Sequence, residues 1–108
     1  MKVKDLINEG NFKWINEAES DREIEKIYCC DLLSVVMGRA PANCAWVTVM
    51  GNVNAVAVAT LAEMSVIILA ENAVPDEFML QRAKQEHVNV IKTELPIFDA
   101  AMIISNGL

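Results

Sequence analysis

Between Ile24 and Lys92 four short runs, IEKIYCC (24–30), AWVTVM (45–50), SVIILA (65–70) and VNVIK (88–92), alternate with segments of helical composition. Each run is rich in β-branched or aromatic residues, which suit a pleated, packed surface. The second and third are almost wholly apolar, the pattern of strands covered on both faces. Strands alternating with helices at this pitch predict a mostly parallel sheet joined by right-handed crossovers.

The flanking signals sharpen the element boundaries. Val3, Leu6 and Ile7 stand at helical spacing ahead of Gly10, a fitting C′ residue. Phe12–Ile15 alternates like a short strand, and Asn16–Glu23 is polar enough for a loop. Asp31 is placed to N-cap a helix over Leu32–Met37, ended by Gly38 and Pro41. Gly51-Asn52 makes a tight turn into a helix over Asn54–Ala62. Glu71–Pro75 is a turn, and Asp76 opens an amphipathic helix over Glu77–His87 with Phe78, Met79 and Leu80 near one side. Pro96 suits the first turn of a last helix, Ile97–Ser105, stopped by Asn106-Gly107. The expectation is one three-layer α/β domain across residues 1–108. Its mostly parallel sheet has four to five strands, with helices on both faces.

Composition supports a well-filled core and excludes several functions. Apolar residues make up 54% of the 108, above the roughly 45–50% of average domains. That surplus can cover a sheet on both faces and leave apolar surface for a partner. The apolar runs are interrupted by Thr60, Glu63 and Ser65, so none reaches the ~20 residues of a membrane span. No apolar h-region follows Lys2 and Lys4, and a cytoplasmic location is expected. The net charge of −6 repels a phosphate backbone, which argues against nucleic acid as a partner. The acidic groups at Glu17–Glu25 and Asp76–Glu86 read as solvated faces.

Catalytic chemistry leaves no trace in the sequence. His87 is the sole histidine and falls at a helix end, where an imidazolium near free carbonyls is a common structural placement. Cys29 and Cys30 are adjacent, so in a strand they point to opposite faces and cannot jointly clamp a metal. Cys44 has no neighbouring cation in sequence to activate its thiol. Glu63 and Glu71 flank the third run at opposite ends and cannot form a carboxylate pair. No catalytic residue, metal site or cofactor is therefore expected.

What remains is positional. Open α/β sheets bind ligands outside the carboxyl ends of their strands. The turns there carry Asp31, Gly51, Asn52, Asn54, Glu71, Asn72 and Thr93, which are the candidate ligand-binding residues. Gly51 lets a backbone approach closely, and the asparagines supply donors and acceptors. The same residue types also serve as ordinary turn and cap formers.

The pattern IYCCDLLSVVMGRA, AWVTVMGNVNAVAVATLAEMSVIILAEN, VPDEFMLQRAKQEHVNVIKTELPIFDAA resembles the DRTGG domain. That is a small α/β module beside catalytic domains in some phosphotransacetylases and CBS-domain pyrophosphatases. The chain is also similar to the N-terminal domain of HPr kinase/phosphorylase. The likeness spans about residues 22–105 and is strongest to short free-standing members, which share the DLLSxVM segment, the NVN turn and the AExxxPDE turn. Where the family has Asp-Arg and Thr-Gly-Gly, this chain has Asn52-Val53 and roughly Ala70-Glu71-Asn72. No GxxxxGK[ST] phosphate loop occurs, so kinase activity is not implied. The resemblance implies a non-catalytic regulatory or ligand-sensing module that binds a small molecule such as an adenine nucleotide at the strand-end turns. The alternative is a homodimerising interaction or adaptor module for a separate enzyme or signalling protein. Six methionines suit an adaptable contact surface.

Overall fold

The computed structural model describes residues 1–108 and arranges them around one five-stranded sheet. In chain order the elements are α1 (Asp5–Asn8), β1 (Lys13–Asn16), β2 (Lys26–Cys29), α2 (Leu33–Arg39), β3 (Cys44–Thr48), α3 (Val53–Leu61), β4 (Val66–Leu69), α4 (Glu77–Gln85), β5 (Val90–Lys92) and α5 (Ile97–Asn106). The strand order is β1-β5-β4-β3-β2. β2 to β5 pair in parallel with each sequence neighbour, and β1 closes the far edge antiparallel to β5. The mostly parallel α/β sheet expected from the sequence is the one observed.

Period-two alternation sorts the central strands into two cores. Cys44, Trp46, Ile67, Leu69 and Val90 pack with Val36 of α2, Ala55 and Val56 of α3, and Met79 and Ala83 of α4. Ala45, Val47, Val66, Ile68 and Ile91 face the other way, toward Val3 and Leu6 near α1 and Ala100 and Ile104 of α5. Burial on both faces is why β3 and β4 carry no polar residue before Thr48. Trp46 is fully buried, and its indole N–H donates to the Cys30 carbonyl at 2.8 Å. Its bulk is thereby buried without stranding a polar atom.

The connections divide cleanly between the faces. α2, α3 and α4 all lie on one side, since consecutive right-handed crossovers between neighbouring strands keep to one face. α5 returns beneath the sheet and packs on β2 and β3 from the opposite side. No helix is long and apolar enough to cross a membrane.

Three local expectations are corrected. Asp31 does not cap α2; the N-cap is Leu32, which makes no side-chain cap bond. Parallel pairing of β2 with β3 puts Asp31 beside the end of β3, where its carboxylate accepts from the Thr48 hydroxyl at 2.6 Å and the Val49 N–H at 3.0 Å. Gly38 does not end α2, which runs on to Arg39. Phe78 is 69% exposed rather than core-facing, because the inward stripe of α4 is Met79 and Ala83 at i, i+4. By contrast Asp76 does cap α4, its carboxylate accepting from Met79 N–H at 2.8 Å.

Candidate functional site

Four turns meet the carboxyl end of the sheet, and they differ sharply in how far they are occupied by the chain itself. After β2, a single Asp31 carboxylate oxygen, Oδ1, accepts from both the Thr48 hydroxyl and the Val49 N–H. After β3, Asn52 is the N-cap of α3, its side-chain oxygen accepting from Ala55 N–H at 3.2 Å. Asn54 is exposed in the first turn of α3. Gly51 does permit a close approach, but to this chain's own backbone. A Cβ there would stand 2.6 Å from the Val74 carbonyl oxygen, and the Gly51 carbonyl accepts from Asp76 N–H at 2.8 Å.

The turns after β4 and β5 are organised differently. Glu71 and Asn72 have φ of 59° and 56°, and Ala73 N–H donates to the Ala70 carbonyl at 3.0 Å. Two left-handed residues inside such a bond make a type I′ turn, which favours glycine or asparagine. The Glu71 N–H donates to Leu95 and the Asn72 N–H to Thr93, tying the turn to the β5–α5 loop.

A cleft of about 280 Å³ opens there, against the start of β1. Asn72, Lys92, Thr93, Glu94 and Leu95 form one side, and Gly10, Asn11 and Lys13 the other. Its position follows from the topology. β4 exits toward α4 on one face and β5 toward α5 on the other, so the neighbouring connections part company beside β1. A divergence of this kind is where open α/β sheets form binding crevices.

Of the seven candidates, the structure brings Asn72 and Thr93 into this cleft and sets Glu71 in the turn next to it. Asp31, Gly51, Asn52 and Asn54 stand at the β2 and β3 end of the rim and do not line it. Lys13, Lys92, Gly10 and Asn11 escaped sequence reasoning. The two lysines are Cα partners across β1 and β5, a pairing that joins opposite ends of the sequence. The available signal was a lysine at the end of one strand-like run and within the other.

The reactive residue types lie elsewhere. His87 sits past α4, at the amino end of β5, with φ of 56° as a left-handed C′ residue. Cys44 is fully buried, and burial pushes its thiol pKa up to about 11. No group of three or more His, Cys, Asp or Glu is placed to hold a metal ion.

No family model and no curated protein matches the chain. Among solved structures, the chain is similar to the CBS and DRTGG domains of the regulatory region of Clostridium perfringens pyrophosphatase, described as complexed with the activator diadenosine tetraphosphate. The TM-score is 0.76 at 13% identity, covering 99% of this chain and 47% of that one. The chain thus spans about half of that regulatory region's length and shares its fold over the matched part.

Proposed function

We propose that this chain is a non-catalytic regulatory module of the DRTGG type, sensing a small molecule such as an adenine nucleotide in the cleft between β5 and β1. The observation that carries the reading is the placement of that cleft. It lies at the carboxyl end of the sheet where connections diverge, and it is lined by Asn72 and Thr93 rather than by any cysteine or histidine. The fold shared with a pyrophosphatase regulatory region, itself described with a dinucleotide activator, adds support.

The test is a thermal-shift titration with adenine nucleotides, acetyl phosphate, coenzyme A and phosphate. A ligand bound only by the folded state raises stability by RT ln(1 + [L]/Kd). The expected result is a concentration-dependent rise that Asn72→Gly abolishes and Asn54→Ala leaves intact. Glycine is the apt replacement because it suits the left-handed backbone at Asn72. A rise that survives Asn72→Gly moves the ligand out of the cleft. No rise with any compound refutes the sensing role.

A second reading, a homodimer or an adaptor for a separate enzyme, is favoured by Val74 and Phe78. They are 82% and 69% exposed, Val74 in the loop before α4 and Phe78 in its first turn. Sedimentation of the free protein would distinguish a self-associating chain from a monomer awaiting its ligand.

A further inference from the structure

The cleft contains a charge arrangement that the fold itself disfavours. Lys13 and Lys92 are directly opposed in the antiparallel β1–β5 pair. Opposed residues of such a pair share one face of the sheet, with Cβ atoms about 5 Å apart, and like charges there repel. Alternation puts both on the face of Ile15 and Val90, the side covered by α4. Neither lysine forms an ion pair, although Lys2, Lys4 and Arg82 all do. A chain with fifteen acidic residues against nine basic ones has left two cations adjacent, unpaired, and lining this cleft. Glu94 is the single acidic residue of the lining and lies within ion-pair distance of neither lysine.

Resting on the small-molecule reading above, we infer that the cleft holds the phosphate group of its ligand, with phosphate oxygens bridging the ammonium groups of Lys13 and Lys92. A bridging anion converts the repulsion into two charge-assisted hydrogen bonds, which are the stronger class. Lysine serves phosphate as a point charge and does not need the planar fork of arginine. The cleft volume of about 280 Å³ accommodates a phosphate with part of the group it esterifies. Asn72 and Asn11 stand at its sides as neutral polar contacts.

The experiment is calorimetric titration of the intact chain with inorganic pyrophosphate, ATP and adenosine, each in buffer matched with chloride for ionic strength. Lys13→Met, Lys92→Met and the control Lys84→Met, on exposed α4, are run alongside. Pyrophosphate and ATP are expected to bind the parent and Lys84→Met. Each cleft variant should weaken that binding about tenfold or more. The unliganded cleft variants should melt at or a few degrees above the parent, since each removes a like-charge contact. A merely structural role for the lysines predicts the opposite shift. ATP binding that is unchanged in both cleft variants overturns the lysine bridge but leaves the sensing role standing. Binding of adenosine with none of pyrophosphate does the same. If none of the three binds, the lysine bridge falls, and the sensing role falls with it when acetyl phosphate, coenzyme A and phosphate also give no thermal shift.

Discussion

Gly51 lies against Val74 so closely that a methyl group on its Cα would stand 2.6 Å from the Val74 carbonyl oxygen and 3.1 Å from the Pro75 Cα. Both neighbours are backbone and cannot rotate away. Gly51→Ala is expected to cost about 1–3 kcal/mol, the range of overpacked sites. Urea denaturation would measure it as a lower midpoint with an unchanged slope. An unaltered midpoint would mean that the Ala73–Pro75 segment yields freely.

Glu71 adopts a left-handed backbone with φ of 59° and has no side-chain hydrogen bond to justify it. For an L-residue with a Cβ that conformation costs roughly 1–2 kcal/mol. Glycine relieves the strain and loses part of the gain to its greater freedom when unfolded. Glu71→Gly should therefore stabilise the protein by about 0.5–1 kcal/mol, seen as a higher melting temperature. His87, at φ of 56°, should respond to glycine in the same direction.

Asn89 is 2% exposed, and its amide is fully engaged. Its oxygen accepts from the N–H groups of Ala18 and Glu19, both at 2.9 Å, while its nitrogen donates to the carbonyls of Glu19 at 2.8 Å and Ser65 at 3.0 Å. One side chain thus pins the β1–β2 loop to the amino ends of β4 and β5. Asn89→Ala leaves these backbone groups without their partner, at an expected cost of about 2–4 kcal/mol. Faster amide hydrogen exchange at Ala18 and Glu19 would show that the loss is local to the pinned loop.

The Cys44 thiol, pushed up to about 11 by burial against an ordinary value of 9.0, sets an alkaline limit. A group whose folded pKa is raised contributes stability that is intact below the unfolded pKa and is lost as pH climbs through the folded one. Folding stability should fall between about pH 9 and 11, the window set by that shift, and Cys44→Ala should flatten the fall. Cys29 is exposed, with partial burial and then the nearby Asp31 raising its own pKa. A thiol reagent should label Cys29 in the native protein and reach Cys44 only on unfolding.

The sheet was largely legible in the sequence because its information is local. Runs such as SVIILA announce a doubly covered strand, and Asp76 announces the start of α4. Long-range placement was not legible. Asp31 has the chemistry of a cap, yet the register of β2 on β3 delivers it to Thr48. Phe78 is as apolar as Met79, but one residue is a turn of about 100° around a helix, which separates core from solvent. Asn72 and Thr93 could be named as candidates because strand-end turns can be read directly, and both line the cleft. Lys13 and Lys92 were not, since a lysine at a strand end normally denotes only a solvated edge.

The pairing of β1 with β5 also bears on the order of assembly. β2 through β5 can be laid down one after another, each beside its predecessor, so their contacts close short loops. Joining β1 to β5 closes the loop from Lys13 to Lys92, the longest in the sheet, and the entropic cost of closure rises with loop length. The Lys13–Lys92 register is thus the least local contact of the sheet, and docking of β1 is expected as a late folding event. The cleft comes into being only at that step. A molecule bound there would act as a clasp on the first and last strands, slowing detachment of β1 while leaving the central strands much as they were.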